Sequence, residues 1–304
     1  MKIGCLITQI SLSENFDVLM NNLDQSRYNS LATCAVESFK KYHPEIEVHY
    51  IHDGNFSNYY EKGFDVFPLV NNIGIVKYIL AHDLMIKNEY DKIIVLGCDT
   101  ITCAHLDEFL DDDTDVLATL NYPCQESTDY WKTPVVEISP KNYEHANINA
   151  DVVCFNNINA LKKVIELSID HYTHFSEQGG LNELAWVDKS YSLKIVDFPY
   201  STSNVVYNAR SKGVFGTNMI VKGKLAKHGP LDGQPAPTTK FYVKDKKLYT
   251  EDNKQIKVWH YVEGLGGRPD NEFYELINDF KTNWFNQETI QFFKEECKCL
   301  NFFS

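Results

Sequence analysis

The run Lys92-Ile93-Ile94-Val95-Leu96-Gly97 is followed directly by Cys98, Asp99 and Thr100. A continuous apolar, β-branched stretch of this length predicts a parallel strand near the middle of a sheet, covered on both faces. In open α/β sheets, ligands gather at the carboxyl ends of such strands. Asp99 therefore stands where a hard oxygen ligand for Mg²⁺ or Mn²⁺ is useful, and Gly97 lets a ligand approach closely. An Asp capping a turn would fill the same position for purely local reasons.

The elements that must hold Asp99 in place are legible on either side of it. Lys2 to Thr8 form a short apolar run that reads as a buried first strand. A helix is predicted next, with Tyr28, Leu31, Ala35, Phe39 and Tyr42 on one face and Pro44 just past its end. Ile46, Val48 and Tyr50 alternate as in a half-buried strand. A helix over 73–87 leads into the Asp99 strand, and strand-like DVLATL and DVVCF follow, then helices over 161–171 and 178–187. Strands alternating with helices predict an α/β sheet. Beyond it, FYVKDKKLYTEDNKQIKVWHYV reads as a β-hairpin with Trp259 and Tyr261 on one face, and Pro269 opens a helical tail.

Composition narrows the function. The chain has 304 residues, 43% of them hydrophobic, and a formal net charge of −13. That charge argues against a nucleic-acid backbone or an anionic membrane as the main partner. It leaves room for an anionic small ligand, because one cation and a few Arg or Lys side chains can hold a diphosphate on an acidic protein. No stretch approaches the roughly 20 apolar residues of a membrane span, and the start of the chain lacks a signal-peptide pattern. A cytoplasmic protein without a transmembrane anchor is expected, its eight scattered cysteines reduced. The phrase GLGGRP breaks the dinucleotide pattern at its third glycine and lies late in the chain, so a dinucleotide-binding reading is rejected.

Four phrases recur in a telling order: Leu96-Gly97-Cys98-Asp99-Thr100, then Ile148-Asn149-Ala150-Asp151-Val152-Val153-Cys154-Phe155-Asn156, then Glu177-Gln178-Gly179-Gly180-Leu181-Asn182, and last 257–264 with Arg268-Pro269. Together they resemble the "LDADT", "FNSGVMLFN", "DQxxLN" and "HFxGxxKPW" phrases of GT-A glycosyltransferases, and of family 8, the glycogenin-like group, in particular. The second Asp of the family's Asp-x-Asp motif matches Asp99. Gly97 stands in place of the first, which in the family contacts both metal and ribose.

The resemblance implies a GT-A (Rossmann-like) fold: a mixed, mainly parallel sheet flanked by helices, with a late hairpin and a C-terminal helical tail. It implies a catalytic domain over 1–268 and a helical extension over 269–304. Asp99 and His260 would be the metal ligands, for Mn²⁺ or Mg²⁺. Arg268, in place of the family's Lys, would clamp the diphosphate, a role its planar fork suits. Gly264 lies in the same phosphate-binding phrase, and the backbone N–H groups of Gly266 and Gly267 would add to it. Thr8 would face the nucleotide base, and Lys77 would lie near the nucleotide. Asn149 and Asp151 would meet sugar hydroxyls, with Glu177 and Gln178 beside the reacting carbon. The 206–210 stretch resembles a shorter element that precedes the hairpin.

The implied activity is transfer of a sugar from a nucleotide-diphosphate donor, a UDP-sugar favoured and a GDP-sugar possible, to a glycan or protein acceptor. Retention of anomeric configuration follows the family. Loss of the first Asp leaves a metal-independent enzyme open. A catalytically impaired protein that binds sugar nucleotides or glycans is the non-enzyme alternative. A sugar-1-phosphate nucleotidyltransferase would share the sheet, but the stretch after strand one, ITQISLSENF, lacks the Gly-rich loop it needs.

Overall fold

A computed structural model describes residues 1–10, 25–52, 73–120, 148–170, 176–196, 218–221, 224–227, 241–250, 253, 255–260 and 287–298. Its centre is a six-stranded sheet in the order β2-β1-β3-β6-β5-β7. The strands are β1 (Ile3–Gln9), β2 (Glu47–His52), β3 (Lys92–Gly97), β5 (Val116–Leu120), β6 (Ile148–Phe155) and β7 (Leu193–Val196). All run parallel except β6, which lies antiparallel between β3 and β5. The chain is thus a mixed, mainly parallel α/β sheet flanked by helices.

Side-chain alternation explains both layers of helix. Leu6, Ile93, Val95, Val153 and Phe155 project to one face, where they pack with α2 (Ile73–Asn88), α4 (Ile158–Asp170) and α5 (Ser176–Glu183). Their chain neighbours Cys5, Ile7, Ile94, Leu96, Val152 and Cys154 project to the other. There they meet α1 (Gln25–Tyr42) through Ala35 and Phe39, and α3 (Asp107–Asp111) through Phe109. Every residue of β3 is buried, as its apolar run requires.

Two expectations are corrected. The alternation read in β2 put Val48 and Tyr50 on a buried face, but His49 and Ile51 are the buried pair. Both faces of this edge strand are covered: Val48 and Tyr50 pack on the α1 side and Ile51 on the α2 side. His49 is tolerated because its Nε2 lies 2.8 Å from the Tyr90 hydroxyl. The second correction concerns the late hairpin. Strands β10 (Phe241–Lys244) and β11 (Lys247–Thr250) do form one, turned by Asp245 and Lys246 at φ 50° and 58°. The stretch with Trp259 leaves it, however, and Tyr261 lies outside the described residues. Strand β12 (Val258–His260) pairs instead with β4 (Thr100–Thr102), far earlier in the chain. β8 (Asn218–Val221) and β9 (Lys224–Lys227) make a separate antiparallel pair.

The last described helix packs on the β4–β12 ladder. In α6 (Gln287–Glu295), Phe293 sets its ring edge-on to Trp259, centroids 5.4 Å apart, and Glu296 pairs with Lys41 of α1 at 2.8 Å. Cys5, Cys34, Cys98, Cys103, Cys154 and Cys297 are free thiols. No helix among the described residues is long and apolar enough to cross a membrane.

Candidate active site

The carboxyl ends of β1 and β3 lie side by side, with Thr8 paired to Gly97. Because β6 runs antiparallel to β3 and Leu96 pairs with Val152, the start of β6 arrives at this same end. Asp151 is in step with Val153 and Phe155, so its side chain belongs to the face that α2 covers. Lys77 enters from the first turns of α2, and Glu177 from the first turn of α5.

These three side chains meet. The Lys77 ammonium donates to Asp151 Oδ1 at 2.5 Å and lies 3.7 Å from Glu177 Oε1. Lys77, Glu177 and Gln178 are each only 7% exposed, whereas the Asp151 side chain is 36% exposed. Burial alone would lower the Lys77 pKa, but Asp151 and Glu177, with help from Asp99, hold it above the ordinary lysine value. Burial raises Glu177 above the usual carboxylate range; Lys77 pulls it down and Asp151 pushes it back up. Glu177 Oε2 and Gln178 Nε2 are buried without a hydrogen-bond partner among the described residues. In a folded interior such groups are uncommon and point to something that completes them.

Two glycines make the approach possible. A Cβ on Gly74 would overlap the Glu177 carboxylate. One on Gly97 would come within 2.7 Å of Asp99 Oδ1 and 3.0 Å of Asp151 Cβ. Gly74 escaped the sequence reading, and its position in the first turn of a helix, where glycine has no conformational use, was the available signal.

Polar bonds fix the frame. Asn149 Oδ1 accepts from the Asp151 N–H at 2.8 Å, and the Tyr78 hydroxyl donates to the Ala150 carbonyl at 3.1 Å. Asn182 ties α5 to β6: its Oδ1 accepts from the Ile148 N–H at 3.1 Å, and its Nδ2 donates to the Gln178 carbonyl at 2.7 Å. Tyr78 and Asn182 were given no role from sequence, although Asn182 closes the EQGGLN phrase.

Asp99 follows β3 directly, and its neighbour Thr100 donates its hydroxyl to the Gly97 carbonyl at 2.8 Å. The β4–β12 ladder sets the backbone of His260 opposite Thr100. Residues some 160 positions apart are thereby brought next to one another. Gly264, Gly266, Gly267, Arg268 and the 206–210 stretch lie outside the described residues.

No protein-family model matches the sequence, and no curated protein matches it. Among solved structures, a galactosyltransferase, LgtC, in complex with donor and acceptor sugar analogs aligns over 96% of this chain and 100% of its own. The identity is 12% and the TM-score 0.40. Mouse xyloside xylosyltransferase 1 aligns over 86% of this chain and 97% of its own, at 9% identity and TM-score 0.42. The glycosyltransferase GlyE of Streptococcus pneumoniae covers 70% of this chain and 50% of its own, at 12% identity and TM-score 0.39. All three are glycosyltransferases. Scores this low decide neither activity nor ligand.

A second cluster lies at the amino end of β2. His43, Glu45 and His105 offer ligand atoms all within 4.8 Å of one another. His43 Nε2, however, accepts the Leu106 N–H at 3.2 Å, so in the neutral ring the proton sits on Nδ1, 3.7 Å from Glu45. Burial, then His105, lowers the His43 pKa to about 4, against opposing pulls from Glu45 and Asp107. A cation at Nδ1 would have to displace that proton or break the Leu106 bond. The trio suits a neutral structural histidine better than a metal.

Proposed function

We propose that the chain is a glycosyltransferase of GT-A type that moves a sugar from a nucleotide-diphosphate donor, a UDP-sugar by preference, to a glycan or protein acceptor. The observation that carries this reading is the Lys77–Asp151–Glu177 cluster beside Gly97 and Asp99, at the carboxyl ends of the strands.

Charge favours a resident cation. Asp99, Asp151 and Glu177 are three carboxyl groups against a single ammonium, Lys77, even before a diphosphate brings its own negative charge. Hard oxygen donors with one imidazole suit Mn²⁺ or Mg²⁺. Asp99 and His260 would hold that ion, and it would supply charge neutralisation on the departing diphosphate. Arg268 and the backbone around Gly264 would grip the phosphates, and Thr8 would face the base. On the sugar side, Asn149 would meet hydroxyls. Gln178, whose Nε2 lacks a partner among the described residues, would donate to the sugar or to the oxygen that leaves it. Glu177, whose carboxyl burial holds above the usual carboxylate range, would line the face where positive charge develops in the transition state. Retention of configuration is the proposed outcome.

A thermal-shift series with UDP- and GDP-sugars, with and without Mn²⁺, tests the donor site, because a ligand that binds only the folded state raises the melting temperature. Turnover of the shifting donor, abolished in Asp99→Ala, is the expected result. Absence of any shift removes the donor site; a shift without turnover under every condition makes the protein a binder.

A further inference from the structure

Gly97 is more than a missing ligand. A β-carbon there would come within 3.0 Å of Asp151 Cβ and 3.3 Å of Asp151 Cγ, closer than ordinary packing permits. The nearest contact, 2.7 Å to Asp99 Oδ1, would turn that side chain too, so a side chain at 97 and the carboxylate at 151 share the space only if both carboxylates give way. In the phrases that resemble this chain, Asp stands where Gly97 is and Gly stands where Asp151 is. Here the two are exchanged.

We propose that Asp151 supplies, from the neighbouring antiparallel strand, the second carboxylate of the cation site, in the space that Gly97 leaves open beside Asp99. The proposal rests on the donor-site reading above and gives Asp151 a task different from contacting sugar.

The surroundings hold the Asp151 carboxylate in place. Lys77, itself buried, holds Oδ1 at 2.5 Å, and the Asn149 side chain fixes the backbone N–H of Asp151 at 2.8 Å. The side chain is still 36% exposed, so it is open to a ligand. Asp99 and Asp151 flank one point: a β-carbon on Gly97 would touch both. Buried Glu177 Oε2, which has no hydrogen-bond partner among the described residues, is a second sign that the cluster is incomplete without a bound group.

The test uses the full chain and two probes, Mn²⁺ alone and Mn²⁺ with UDP, read by electron paramagnetic resonance and calorimetry. Asp151→Asn is expected to weaken Mn²⁺ binding by at least about tenfold, as loss of a ligand or its support does. Gly97→Asp alone should also weaken it, since the new side chain collides with Asp151. The double exchange Gly97→Asp/Asp151→Gly removes the Asp151 contact, leaves only the Asp99 carboxylate to turn aside, and should recover most of the wild-type affinity. Recovery in the double variant cannot come from misfolding, which keeps the proposal testable if Asp151→Asn proves unstable. Equal Mn²⁺ affinity in wild type and Asp151→Asn overturns it, as does a double variant no better than Gly97→Asp. Wild-type chain that binds UDP but no Mn²⁺ overturns the proposal and leaves the donor site standing. Mn²⁺ binding that depends on Asp151, without any nucleotide binding, supports the proposal and removes the donor site. Binding of neither probe overturns both.

Discussion

Lys77 and Lys92 are both buried against the central sheet, and the groups that receive their charges differ in kind. Lys92, at the amino end of β3, donates to the main-chain carbonyls of Leu110 and Asp112 at 2.9 and 2.7 Å, with Asp113 at 3.2 Å. It caps the end of α3, where carbonyls lack helical partners. Lys77, at the other end of the same strand, faces carboxylates on separate elements, one in β6 and one in α5. Backbone acceptors are fixed by the fold and satisfied by it. Side-chain carboxylates can be shared with a ligand, and here one of their oxygens has no partner among the described residues. The same residue type, equally buried, is thus a strut at one end of β3 and part of a site at the other.

That contrast can be broken by exchanging each ammonium for a methyl thioether. Lys77→Met should cut turnover of the nucleotide-sugar donor by about 10²–10³-fold, the scale of removing one preorganised charge, with a smaller effect on melting. Lys92→Met should do the reverse. Stranding its carbonyl acceptors should cost about 3 kcal/mol in urea unfolding while turnover per folded molecule is kept. If Lys92→Met abolishes turnover, or Lys77→Met only lowers the melting temperature, the division into strut and site is wrong.

His43 sharpens the comparison from the strut side, because its acceptor nitrogen is also satisfied by main chain. Its pKa is lowered from 6.5 to about 4 in the folded protein, so the unfolded chain binds the proton first. The stability it contributes is complete above about pH 6.5 and is lost as the pH falls toward about 4, by up to about 3 kcal/mol. Unfolding followed between pH 7 and 4 should show this slope, and His43→Gln should flatten it.

The strut was easier to read in the sequence than the site. KIIVLG announces a buried strand because Ile93, Ile94, Val95 and Leu96 are consecutive apolar side chains that must all avoid water, and the helix at 73–87 was expected where α2 runs. The meeting of Lys77 with Asp151 crosses 74 positions and leaves no local signature, so only the resemblance pointed there. Gly97 was read both as a point of close approach and as the place of a missing Asp; what no sequence signal carried is that a Cβ there would meet Asp99 Oδ1 and Asp151 Cβ together. The pairing of β12 was misjudged for a related reason. Three-residue strands such as Thr100–Thr102 show no periodicity, so the partner of Val258–His260 was sought in the adjacent hairpin.

The ladder between β4 and β12 bears on how the protein comes into being. As the chain leaves the ribosome, every strand of the central sheet has been made once Val196 has emerged. His260 is translated well after that, so β4 waits for its late ladder partner. Synthesis in the cell would then complete the central sheet before β12 can dock beside Thr100.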